Sequence, residues 1–209
     1  KIFKNKNNVG VLFYEVGNLK SIANALSILN IDFKLIENSR EIKNFKKIIL
    51  PGVGSYSEAK KSIKKKGFDV EIKNFINKSD NYLLGICLGM QLLLDKSLEF
   101  KTTKGLSLIS GDVIRIDDNG LTVPNIGWFN LKKINDSILL NNFKKKELCF
   151  YFAHSFYCNL KNSSNKVASL ESVEKITSVI QKKNIFGCQF HPEKSQKSGL
   201  KFLKNFCEL

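Results

Sequence analysis

Leu83-Leu84-Gly85-Ile86-Cys87-Leu88-Gly89-Met90-Gln91 is the stretch from which the chain is best read. Tyr82–Ile86 has the character of a buried strand and Leu88–Asp95 that of the helix after it, so a Gly-x-Cys-x-Gly pattern falls on a strand-to-helix junction. Physically this is a nucleophile elbow. The glycines permit a tight turn on which Cys87 is thrust out. The helix that starts after it points free N–H groups and its positive dipole end at the sulfur, which favours the reactive thiolate. The bland alternative is a buried cysteine between two turn glycines.

Outward from the elbow, the first half alternates strands and helices. Val9–Phe13, Asp32–Ile36 and Lys47–Leu50 read as strands. Asn18 is placed to cap a helix through about Leu29, and helical pattern returns at Tyr56–Lys65 and Val70–Asn77. Such alternation implies a parallel sheet with helices on both faces. The second half consists of short β-prone segments: Asp112–Ile116, Leu121–Trp128, Leu148–Phe152, Val167–Leu170, Ile176–Gln181 and Ile185–Phe190. A closing helix is expected at Lys197–Cys207. The expected fold is therefore α/β: a mixed, mostly parallel open sheet with helices on both faces, a nucleophile elbow, and an antiparallel extension in the second half. No boundary divides the 209 residues, so one domain is expected.

Two further segments belong with the elbow. In Phe190-His191-Pro192-Glu193, histidine and glutamate two apart on an extended segment point the same way, with Pro192 holding the segment extended. Glu193 can then orient His191 as a base for Cys87, the arrangement a thiol nucleophile needs. Taken alone, a surface histidine beside a solvated glutamate is the simpler reading; a separate elbow upstream tips the balance to a Cys–His–Glu triad. Pro51-Gly52-Val53-Gly54 follows a parallel strand, at the edge where ligand sites form. Backbone N–H groups of Gly52 and Val53, with that of Leu88, are candidates for an oxyanion hole.

The formal net charge is +15, but almost all of it is lysine, spread along the chain; Arg40 and Arg115 are the two arginines. Nucleic-acid binding is therefore not expected. Five cysteines without a Cys-x-x-Cys pair argue against a disulfide framework and a zinc site, and fit a reducing cytoplasmic setting. No apolar run approaches the ~20 residues of a membrane span. Lys1–Gly10 lacks the apolar stretch of a secretory signal, and a first residue other than Met suggests that an initiator or short segment is missing.

The motifs together resemble a class I (triad) glutamine amidotransferase, and within that family the glutaminase subunits of imidazole glycerol phosphate synthase. The matches are Gly17-Asn18-Leu19-Lys20-Ser21, the Pro51–Gly54 loop, Gly85–Leu93, Pro124-Asn125-Ile126-Gly127-Trp128, Tyr151-Phe152-Ala153-His154-Ser155 and Gln189–Gln196. The resemblance implies Cys87 as nucleophile on the glutamine amide, His191 as acid and base, and Glu193 as its orienting partner. It implies a glutamine pocket of Gln91, Glu99, His154, Ser155 and Phe156. It also implies a partner face carrying Asn18, Trp128 and Lys194, turned toward a (βα)8-barrel synthase subunit that receives the ammonia in a heterodimer. No cofactor or metal is implied. Three departures stand out: Phe13-Tyr14-Glu15-Val16-Gly17 has lost a glycine, Phe156 replaces the usual Tyr, and Phe129 replaces the usual Asn. They leave the acceptor open between the histidine-pathway intermediate and a surface sugar amidated by a paralogous enzyme. A cysteine peptidase-like hydrolase, which needs no partner, is the competing class.

Overall fold

Apolar side chains alternate along the first strands and so feed two separate cores. The computed structural model describes residues 9–15, 18–117 and 122–209. In it, β1 (Val9–Leu12), β2 (Phe33–Ile36), β3 (Lys47–Leu50) and β4 (Tyr82–Ile86) are joined by α1 (Leu19–Ile28), α2 (Tyr56–Lys65) and α3 (Phe68–Ile76), and α4 (Leu88–Leu92) follows β4. On β3, Ile48 and Leu50 pack with α2 and α3, while Ile49 faces the opposite core. The second half supplies β5 (Lys96–Ser97), β6 (Thr103–Lys104), β7 (Gly111–Arg115), β8 (Asn125–Lys133), β9 (Cys149–His154), β10 (Phe156–Leu160), β11 (Lys166–Leu170), β12 (Thr177–Lys182), β13 (Ile185–Cys188) and α5 (Gln196–Cys207).

Among the described residues the main sheet has nine strands in the order β2-β1-β3-β4-β13-β12-β11-β8-β9. The strands from β2 to β13 run parallel, and β12, β11, β8 and β9 add on antiparallel. The expected mixed sheet with an antiparallel extension is what forms. Helices α1 and α5 cover one face and α2 and α3 the other. A second sheet, in the order β10-β7-β5-β6, was not read from the sequence.

Three local expectations are corrected. Asn18 occupies the N-cap of α1 but its side chain makes no capping hydrogen bond. The helix after the elbow stops at Leu92 instead of Asp95, because the Leu106 and Leu108 N–H groups take the carbonyls of Leu92 and Leu93. The strand expected from Leu121 starts at Asn125, after Pro124, which has no N–H to give to a ladder. Leu121 itself, like Val16 and Gly17, lies outside the described residues.

Candidate active site

Cys87 adopts φ 54 and ψ −110, a conformation that costs a non-glycine residue about 1–3 kcal/mol. Backbone hydrogen bonds hold it there: its N–H donates to Cys188 O of the neighbouring strand at 2.7 Å, and Gln91 N–H donates to Cys87 O at 3.2 Å in the first turn of α4. The flanking glycines are required by close approach. A Cβ on Gly85 would lie 2.7 Å from the Gly89 carbonyl carbon, and one on Gly89 would lie 1.9 Å from Leu50 O. The elbow thus crosses directly over the end of β3, which continues into Pro51–Gly54. Gly52 approaches the elbow in turn, since its Cβ would meet Gly89 N at 2.8 Å. Tyr14, fully buried, donates its hydroxyl proton to Pro51 O and so holds the first peptide of that loop.

His191 arrives along β13. Cys188 is in register with Ile86 of β4, so the next residue, Gln189, falls beside Cys87. Gln189 N–H donates to Ser178 O and His191 N–H to Tyr151 O, which hands the segment from β12 to β9. Here the expectation of an extended Pro192 is corrected: Pro192–Lys194 is a 3-10 turn, as the fixed φ of proline at a first helical position favours. The turn, rather than strand alternation, brings Glu193 Oε1 back to 2.8 Å from His191 Nδ1, with both side chains buried. Ser195 Oγ donates to His191 O at 2.6 Å and accepts from Tyr151 N–H at 2.9 Å, fixing the turn from behind. Burial by itself would push the His191 pKa down. The hydrogen bond to Glu193 and the closeness of Cys87 override it and raise the pKa.

Cys87 and His191 open into one pocket of about 360 Å³. Val53 and Leu88 line it beside the elbow; Gln91, Glu99, His154, Ser155 and Phe156, all expected from the resemblance, line the rest. Glu99 is tied down by Tyr56 N–H, the first amide of α2, at 2.8 Å. Gln91 Nε2 donates to Phe156 O at 2.9 Å and to Gln189 Oε1 at 3.1 Å. Both nitrogens of His154 are already engaged, Nδ1 with Phe156 O at 2.9 Å and Nε2 with Asn125 Nδ2 at 3.1 Å. Burial lowers its pKa to about 4, so it is a neutral ring that walls the pocket and offers no free hydrogen-bonding atom.

Lys194 lies at the pocket mouth, its Nζ 5.8 Å from the centre of the Tyr151 ring, and Trp128 meets the same ring edge-on at 6.0 Å. Tyr151 thus joins two of the three expected interface residues. Asn18 sits at the head of α1, the helix that packs against the Pro192–Lys194 turn. A larger cavity of about 650 Å³ lies at the opposite end of β4 and β13, lined by Tyr82 and Ile185, and contains none of the expected site residues. No helix of the described residues is long and apolar enough to cross a membrane.

Two residues of the site were not singled out from the sequence. Gln189 was quoted only as part of a motif, although the two-residue spacing that led to Glu193 reaches it equally in the other direction. Its side chain is fully buried and its Nε2 lies 3.7 Å from Cys87 Sγ. Tyr14 carried no local signal, because its partner Pro51 is 37 residues away.

The sequence matches the family model described as glutamine amidotransferase class-I over residues 12–209. The chain is 42% identical to the imidazole glycerol phosphate synthase subunit HisH of Caldanaerobacter subterraneus subsp. tengcongensis over 201 residues, 96% of this chain and 98% of that one. It is 38% identical to the subunit of the same name from Chlorobaculum tepidum, over 93% of this chain and 96% of the relative. Among solved structures, it resembles the one titled "Structure of PurLQS from Thermotoga maritima" with a TM-score of 0.76 at 20% identity, over 96% of this chain and 97% of that one. At that identity the likeness speaks for the fold alone.

Proposed function

The chain belongs to the class-I glutamine amidotransferases, and on that premise we propose that it is the glutaminase subunit of an imidazole glycerol phosphate synthase, acting in histidine biosynthesis. The Cys87 thiolate attacks the side-chain amide carbon of glutamine, forming the C–S bond. The oxyanion is held by backbone N–H groups at Gly52–Val53 and Leu88. His191, protonated as the thiolate forms, gives its proton to the departing nitrogen; the C–N bond breaks and ammonia leaves. Neutral His191 then takes a proton from water, whose oxygen attacks the thioester, and glutamate is released as the thiolate re-forms. Glu193 keeps Nδ1 occupied, so that the other ring nitrogen faces the reaction. Gln91, Glu99, Ser155 and Phe156 hold the substrate, with His154 as a wall.

Asn18, Trp128 and Lys194 belong to the face against which a barrel-shaped synthase subunit docks, in a heterodimer that passes ammonia on without release. The chain works as one glutaminase domain, in the cytoplasm. The observation that carries this reading is that Cys87 and His191 line one pocket of amino-acid size, with Glu193 bonded to His191 Nδ1.

The test is ammonia release from glutamine, measured with the histidine-pathway barrel subunit and its ribonucleotide ligand, and in parallel with a sugar-pathway barrel partner. Strong stimulation by the first pair is expected, and Cys87→Ala is expected to abolish it while complex formation persists. Turnover by Cys87→Ala rejects the mechanism; stimulation by the sugar-pathway partner alone rejects the acceptor.

A further inference from the structure

We propose that the side-chain amide of Gln189 is a hydrogen-bond donor to the Cys87 sulfur during the glutaminase reaction, aimed there by Gln91. The inference rests on the glutaminase reading above and assigns this residue a part in it.

The argument begins at a backbone carbonyl, which can only accept. Phe156 O receives Gln91 Nε2 at 2.9 Å, and this fixes which end of the Gln91 amide carries nitrogen. The same nitrogen lies 3.1 Å from Gln189 Oε1. Nitrogen facing nitrogen would be repulsive, so the oxygen of Gln189 must point to Gln91. The nitrogen of Gln189 is left pointing at Cys87 Sγ, 3.7 Å away. The polarity of the whole chain is therefore set by one carbonyl, and it ends on the nucleophile. Gln189 is fully buried, so no water competes for its N–H groups. Its backbone is held by the Ser178 carbonyl, next to Cys87 in strand register.

A thiolate at this position gains two donors, His191 and Gln189. The other titratable groups near enough to feel a charge on the sulfur are Tyr14 after β1, Cys158 on β10 and Cys188 on β13, and burial holds all three in their neutral forms. Glu193 acts from behind His191. Because Gln91 also lines the glutamine pocket, a substrate contact with Gln91 bears on the same amide that faces the nucleophile.

The measurement is the rate of Cys87 alkylation by iodoacetamide as a function of pH, read by mass spectrometry on the Cys87 peptide so that the other cysteines do not contribute. Gln189→Met keeps the length and removes the donor. Gln189→Glu keeps an acceptor for Gln91 and turns a carboxylate toward the sulfur. The Met variant is expected to move the profile up by about one pH unit, about tenfold in rate at neutral pH, and the Glu variant further. A packing role alone would alter thermal stability and leave the profile in place. Folded variants whose profiles overlie that of the parent overturn the proposal. Should neither variant fold, Gln91→Leu, which leaves Gln189 without its orienting partner, is expected to give a smaller shift in the same direction, and no shift overturns it. The assay needs neither glutamine nor a partner subunit, so its failure leaves the glutaminase reading standing.

Discussion

Acidification should destabilise the fold through His154, by an amount that follows from its surroundings. The ring is buried, with both nitrogens hydrogen-bonded, and its pKa falls from 6.5 to about 4, chiefly through desolvation. Between those two values the unfolded chain binds a proton that the folded chain refuses, so stability is lost as pH falls through that window. For one group titrating at 6.5 unfolded and about 4 folded, the loss on going from pH 7.5 to pH 5 is about 2 kcal/mol. His191 has a raised pKa and acts with the opposite sign, gaining stability as pH falls toward its unfolded value. It is common to parent and variant and cancels in their difference. The assay is urea unfolding of the parent and of His154→Gln at both pH values. The variant is expected to be less stable at pH 7.5, having lost the fitted ring, yet to lose about 2 kcal/mol less than the parent on acidification. Equal losses in the two proteins would show that His154 is not held neutral by the fold.

Two shorter predictions concern the elbow and the mouth of the pocket. Gly89→Ala places a carbon where Leu50 O allows only 1.9 Å, so the crossing of α4 over β3 must open; a loss of about 3 kcal/mol in urea unfolding is expected, with ammonia release falling alongside. An unchanged unfolding midpoint would refute the packing argument. Lys194→Ala is expected to weaken the stimulation of ammonia release by the partner's ligand while Cys87 alkylation stays as in the parent; undiminished stimulation would remove Lys194 from the interface.

The parts of the molecule legible in the sequence are those governed by short-range physics. Lys47–Leu50, Tyr56–Lys65 and Tyr82–Ile86 form over the residues expected, because apolar periodicity and the Pro51–Gly54 breaker mark their ends locally. The elbow was legible for the same reason: two glycines and a cysteine announce their own backbone. The helix after it was overestimated because distant amides, those of Leu106 and Leu108, end it. The turn at Pro192 was taken for strand although proline suits either, and the Tyr151 contacts that settle the matter come from β9, some forty residues upstream. Gln189 and Tyr14 escaped because their importance lies wholly in partners 102 and 37 residues away.

The wide sequence separation within the site has a meaning for biosynthesis. Cys87 and Gln189 beside it are 102 residues apart, and a ribosome adding roughly 5–20 residues per second needs about 5–20 s to span that gap. Through that interval the nascent chain carries Cys87 without His191 beside it. A chain cut short before β13 lacks Gln189, His191 and Glu193 altogether. The arrangement around Cys87 is thus completed only when residues far downstream of it have been made.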